Sequence, residues 1–185
     1  QVEHPVTEEV TGIDLVSEQL KIARGESLKF NQNDITWKGS SIEARLYAEN
    51  PNNDFLPEIG TLIAFEKDDS VEARWDSGVT SGTIVGTDFD PMLAKIISYA
   101  SNRTDAASKL AKALESAHIG GVITNRDFLI SCLKSQDFLN GDTTSDFIER
   151  VNPDRKLVIS KDDIEHVMAL SLIHISEPTR LQQIS

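Results

Sequence analysis

Residues 1–8 read Gln-Val-Glu-His-Pro-Val-Thr-Glu, and they hold more potential chemistry than any other stretch of the chain. Glu3 offers a carboxylate able to take a proton, Gln1 an amide, and His4 an imidazole, while Pro5 fixes the backbone ahead of a helix. Type alone does not settle their roles. His4 has no second His or Cys at ligand spacing, so a structural, hydrogen-bonded histidine before Pro5 is the better reading than a metal ligand. Glu3, taken alone, equally suits a helix start, where a carboxylate favours the positive end of the dipole. Asp88, Asp90 and Asp105 could suggest a cation site, but Asp90-Pro91 opening a strand and Asp105 capping a helix explain them without one, so no metal site is assigned. Cys132 lies in the apolar pattern Phe128, Leu129, Cys132, Leu133, as a buried helical thiol would.

The elements that must position these groups follow from periodicity. Asp14 can cap a helix over 15–24 whose stripe is Val16, Leu20 and Ala23, with Gly25 at the stop position, and this helix is expected to pack behind the opening motif. Residues 41–49 alternate, with Ile42, Ala44, Leu46 and Ala48 on one face and Glu43, Arg45, Tyr47 and Glu49 on the other. That parity turns Arg45 away from the aliphatic core, where an ion pair with Glu43 or Glu49 is the commoner use of such a residue. A turn at 50–54 and strands at 60–66, 71–75 and 92–99 complete an antiparallel sheet. Thr104 or Asp105 can cap a helix through Ala117 with the stripe Ala107, Leu110, Leu114 and Ala117, ended by Gly120-Gly121; Asn125 can cap another over 126–133. The class is α+β, an antiparallel sheet covered by helices.

Composition narrows the function classes. The 185 residues are 39% hydrophobic, enough for a real core, and 18 Lys+Arg against 30 Asp+Glu give a net charge of -12. Acids spread along the chain argue against a nucleic-acid surface. No apolar run reaches the roughly 20 residues that span a bilayer, and no signal peptide opens the sequence, so no membrane partner is expected and the cytoplasm is the default compartment.

Residues 1–25, QVEHPVTEEVTGIDLVSEQLKIARG, closely resemble the motif of biotin carboxylases, the ATP-grasp ligases that carboxylate the biotin of acyl-CoA and pyruvate carboxylases. Further blocks follow in family order: IEARLYAENP, FLPEIGTL, RWDSGV, DFDPMLAKII and GVITNRDFL. The resemblance covers residues 1–150. It implies that Glu3 is the base that deprotonates bicarbonate for attack on the γ-phosphate of ATP, that Gln1 and the Val2 backbone help to hold bicarbonate, and that Arg45 stabilises the biotin enolate. A guanidinium suits that last task because it stays charged and offers a planar fork of donors. Arg74 and Trp75 fall in a region used for dimer contacts in the family.

The resemblance further implies biotin on a carrier domain, ATP and Mg²⁺ as cofactors, and a biotin carboxyl carrier domain, a carboxyltransferase subunit and a homo-oligomeric parent as partners. It divides the chain into the end of an ATP-grasp domain (1–39), a biotin carboxylase C-terminal domain (40–150), a linker with the start of another domain (151–169), and a tail (170–185). The glycine-rich lid, lysines and Mg²⁺ ligands that precede QVEHP in the family are not found in these residues. The chain therefore reads as a fragment, inactive alone, of an acyl-CoA carboxylase alpha subunit, a branch favoured by RLYAENPNNDFLP; the acyl group cannot be read. Residues 170–180, LSLIHISEPTR, resemble a translated sequencing-library adapter and are set aside. One alternative stays open, a non-enzymatic, truncated assembly module; another ATP-grasp ligase, such as a carbamoyl phosphate synthetase, would not carry QVEHPVTE together with the later TNRDFL.

Overall fold

The computed structural model describes residues 2–156. The expectations for Gln1, for the start of another domain before residue 169 and for residues 170–185 lie outside the described residues. Along the chain, α1 (Pro5–Thr11) and α2 (Leu15–Ala23) lead into β1 (Ser40–Tyr47), β2 (Glu49–Asn50), β3 (Leu56–Pro57), β4 (Gly60–Thr61), β5 (Ala64–Glu66), β6 (Arg74–Ser77), β7 (Ile84–Val85) and β8 (Met92–Ala100). Then come α3 (Arg103–Ser116), β9 (His118–Gly120), α4 (Arg126–Lys134), α5 (Gln136–Asn140) and α6 (Phe147–Val151).

The long apolar strand β8 organises the fold, flanked antiparallel by β1 on one side and β6 on the other. Period-2 alternation sorts its side chains. Ala94, Ile96 and Ser98 stand opposite Leu46, Ala44 and Ile42 of β1, and all six are buried. Helix α3 covers this face with Ala107, Leu110 and Leu114, as its stripe predicts, and α4 adds Ile130 and Leu133. Ser98 is tolerated there because its hydroxyl donates to the Ala106 carbonyl at 2.7 Å. The expected α+β class with an antiparallel sheet under helices is what the chain adopts.

Four local readings need correction. The strand expected over 60–66 is two strands, because the buried Leu62 marks a change of partner: β4 pairs with β7, whereas β5 pairs with β9. The strand expected at 71–75 forms later, at Arg74–Ser77, where the backbone can join the edge of β8. Helix α3 is capped by Asn102, whose Oδ1 accepts from Asp105 N at 2.9 Å, so Asp105 lies in the first turn, and the helix yields to extended backbone at Ala117 before the Gly pair. In α2, Asp14 is the cap, accepting from Ser17 N, yet Val16 and Leu20 remain exposed rather than packed.

The stretch 152–156, linker-like in composition, lies back on the body. Asp154 N donates to Ser131 Oγ at 2.8 Å, and Arg155 reaches both the Pro51 carbonyl and the face of Phe55. No helix among the described residues is long and apolar enough to cross a membrane.

Candidate functional site

The opening segment is held on the second, polar face of the three-stranded sheet. Pro5 occupies the first turn of α1, where a missing N–H costs nothing, and is buried; Gly12, at φ 72°, closes the helix with its N–H on the Glu8 carbonyl. Helix α1 packs against β1 and β8. Its Glu8 bridges two elements: Oε2 accepts from Arg74 of β6 at 2.8 Å and Oε1 from Leu15 N at the start of α2 at 2.9 Å. Arg74 also grips Asp76 through two parallel bonds and meets Glu9 at 3.4 Å. These acids, with the bonds outweighing desolvation, hold its guanidinium well above the ordinary arginine range.

From α2, Gln19 clamps the backbone of Val2, accepting its N–H at 3.0 Å and donating to its carbonyl at 2.6 Å. This is how α2 meets the motif: by a polar clamp, not by its apolar stripe. The Val2 N–H is thus occupied, and an anion using it must displace Gln19.

Glu3 follows directly. Its Oε1 lies 2.9 Å from Lys95 Nζ, and the Glu3 side chain is 69% exposed. Lys95 is only 7% exposed. Its bond to Glu3, and then its charge, pull the carboxyl below the usual glutamate range; Arg45 adds to this, while desolvation and Asp76 oppose it. Arg45, Lys95 and Asp76 form one row across the sheet, since Arg45 pairs in register with Lys95, and Lys95 with Asp76.

Arg45 is on the polar face, as its parity predicts, with 58% of its side chain exposed and its Nε 2.9 Å from Glu43 Oε1. The bond from Glu43, then one from Tyr47, raises its already high pKa. From behind, the strand is fixed by Asn125, whose Oδ1 accepts from Tyr47 N at 2.9 Å and whose Nδ2 donates to the Arg45 carbonyl at 3.2 Å. Asn125 precedes α4 as expected, but its side chain makes no cap bond there.

Glu3, Arg74, Asp76, Met92 and Lys95 line a groove of about 390 Å³ beside α1. Val2, His4, Arg45, Asp88, Asp90 and Asp105 are not among its lining residues. His4 is exposed and acts through its backbone carbonyl, which accepts from Glu8 N at 3.1 Å; the hydrogen bond expected of its ring is not found among the described residues. Asp90 accepts from Met92 N at 2.8 Å at the start of β8. Among the described residues no group of three or more His, Cys, Asp or Glu could hold a metal ion. Trp75 packs edge-on against Phe65. Sequence reasoning missed Lys95 and the real use of Asn125. A lysine inside the apolar run of β8 was the available signal, since an unpaired lysine is almost never fully buried.

Residues 43–150 match the biotin carboxylase C-terminal domain family, and residues 1–31 match the ATP-binding domain of the carbamoyl-phosphate synthase L chain. The chain belongs to the biotin carboxylase C-terminal domain family. It is 44% identical to biotin carboxylase 2 of Bacillus subtilis over 150 residues, covering 81% of this chain and 34% of that protein. It is 37% identical to the mitochondrial propionyl-CoA carboxylase alpha chain of Homo sapiens over 175 residues, 92% of this chain and 24% of that one. Among solved structures, the biotin carboxylase domain dimer of Hydrogenobacter thermophilus 2-oxoglutarate carboxylase, in complex with MgADP, ADP and bicarbonate, superposes with a TM-score of 0.81 at 36% identity, covering 86% of this chain and 35% of that one. The chain spans about a third or less of the length of these relatives.

Proposed function

We propose that this chain is the carboxyl-terminal part of an ATP-dependent biotin carboxylase, divided at 39 and 150 as its motifs indicate, and that Glu3 and Arg45 do its chemistry. In this reading Glu3 takes the proton of bicarbonate, the freed electron pair on oxygen attacks the γ-phosphate of ATP, and ADP leaves with the electrons of the broken P–O bond. Gln1 and the Val2 backbone hold the bicarbonate. The C–O bond to phosphate would then break with its electrons on the departing phosphate, which would take the proton of the biotin ureido N–H; Arg45 would stabilise the resulting enolate while that nitrogen attacks the freed carboxyl carbon. The observation that supports the reading is the row that brings Arg45 alongside the lysine paired with Glu3, on the polar face of the sheet. The proton acceptor and the cation that stabilises the enolate would thus share one face, as consecutive steps on one carboxyl group require.

ATP with Mg²⁺ and carrier-bound biotin are the cofactors of the proposed parent. A biotin carboxyl carrier domain, a carboxyltransferase subunit and a second copy are its partners, an acyl-CoA its eventual substrate class, and the cytoplasm its compartment. Likeness to the propionyl-CoA carboxylase alpha chain supports the acyl-CoA branch. The test uses the full-length carboxylase that carries this segment. Glu3→Gln should remove bicarbonate-dependent ATP cleavage by about 10² or more, the usual worth of a general base. Arg45→Ala should retain most of that cleavage and lose carboxylation of biotin. Retention of ATP cleavage in Glu3→Gln within about tenfold of the parent would overturn the assignment.

A further inference from the structure

We propose that Lys95 is the positioning residue for Glu3, fixing its carboxylate in the groove beside α1 as the proton acceptor for bicarbonate. The inference rests on the function proposed above and adds to it a residue of β8, distant from Glu3 in sequence.

Lys95 occupies the middle of β8, where its immediate neighbours Ala94 and Ile96 belong to the core. A lysine there requires a partner, because an ammonium taken out of water without one is strongly disfavoured. Its cross-strand neighbours do not serve. Arg45 is a like charge. Asp76 has both carboxylate oxygens bonded to Arg74, through Nε at 2.9 Å and the terminal nitrogen at 2.8 Å. Glu8 is likewise engaged by Arg74, and Glu43 by Arg45. Lys95 is thereby left to Glu3, at 2.9 Å.

The consequence for Glu3 is directional. A glutamate with 69% of its side chain exposed would otherwise sample several rotamers. Anchoring Oε1 on a buried, immobile ammonium restricts the carboxylate and leaves Oε2 to receive the proton. The same contact favours the ionised form of the group, since Lys95 is the largest cause of its lowered pKa. The groups that face this pair are Arg45 and Glu43 from β1, Arg74 and Asp76 from β6, and Glu8 from α1; of these, Arg45 reinforces the lowering and Asp76 opposes it.

The experiment measures bicarbonate-dependent ATP cleavage against pH in the full-length carboxylase for the parent, Lys95→Met, Lys95→Arg and Glu3→Gln. Lys95→Met keeps the stem packing and removes the charge. Its acid limb should move up, with kcat reduced about tenfold or more, and Lys95→Arg should restore the limb. An acid limb that stays in place in Lys95→Met, with Glu3→Gln inactive, overturns the role of Lys95 alone. Retained cleavage in Glu3→Gln instead overturns the proposed function. In that case ¹³C NMR titration of the Glu3 carboxyl decides for Lys95: a midpoint in the parent below the ordinary value of about 4.3 supports the contact, and one at or above it rejects the contact. The titration uses the parent protein alone, so misfolding of a variant cannot obscure the answer.

Discussion

Asn125 is bonded to the strand that carries Arg45, its Nδ2 donating to the Arg45 carbonyl at 3.2 Å while its Oδ1 takes the Tyr47 N–H at 2.9 Å. Its own backbone N–H also donates to the Tyr47 carbonyl, at 3.2 Å. One buried residue at the start of α4 thus satisfies the end of β1, where the register with β8 shifts between Leu46 and Tyr47. A strand with a displaced register leaves main-chain groups without ladder partners, and the amide supplies them.

Asn125→Ala should therefore destabilise the fold by about 2 kcal/mol, the cost of stranding buried main-chain groups. For a domain of this size that is a fall in Tm of roughly 4–8 °C. Thermal melts followed by circular dichroism read the change. A loss below about 0.5 kcal/mol, ordinary for a surface substitution, would show that water replaces the amide.

Arg74 and Glu8 should be coupled more strongly than an exposed pair. Glu8 is mostly covered and also accepts the first N–H of α2, so the pair ties α1, α2 and β6 together. A double-mutant cycle with Glu8→Gln and Arg74→Gln should give about 1–2 kcal/mol, against about 0–0.5 for the exposed Lys67–Asp69 pair. Urea denaturation of the four proteins in each cycle makes the comparison. Equal coupling in both cycles would count against the bridge.

Strand β1 was legible in the sequence because it obeys a strict alternation: Ile42, Ala44 and Leu46 are buried and Arg45 exposed, as parity demands. The stripe of α3 was legible for the same reason. Residues 60–66 were not, because a continuous β-prone run carries no mark of a partner change, and only the tertiary placement of β7 and β9 divides it. Within the site, Glu3 and Arg45 stood out by motif and parity. Lys95 did not, since its partner lies far away in sequence and only the pairing of Asp76 with Arg74 explains why it turns to Glu3. Asn125 was placed at the right position for a cap, but a side chain that can cap a helix can also satisfy a strand, and the choice is made by the neighbouring backbone.

Gly121 should tolerate no side chain. Its φ is 105°, and an added Cβ would lie 2.6 Å from Ile63 N and overlap the Thr61 carbonyl, both main-chain atoms that cannot swing aside. Gly121→Ala is expected to cost more than about 2 kcal/mol, combining a strained backbone with a collision at the partner change between β4 and β5. Gly78, with open space around its missing Cβ and an ordinary φ, is the control: Gly78→Ala should change stability by less than about 1 kcal/mol. Similar losses at both positions would remove the steric argument.

Cys132 provides a pH-dependent test of the core. It packs with Phe128 and Phe147, and desolvation pushes its thiol up to about 11. The folded state therefore holds its proton over a range in which the unfolded thiol, near 8.5, has released it. The sign follows: this contribution is fully present below about pH 8.5, and stability declines as pH rises from there towards 11, by at most about 3.5 kcal/mol at roughly 1.4 kcal/mol per unit. Cys132→Ala should flatten that alkaline decline while lowering stability at neutral pH, because it trades the titrating thiol for a small cavity. In native protein at pH 8 iodoacetamide should label Cys132 more than about a hundredfold more slowly than in urea, since both thiolate fraction and access fall. Labelling at the unfolded rate would place the thiol in solvent and remove it from the cluster.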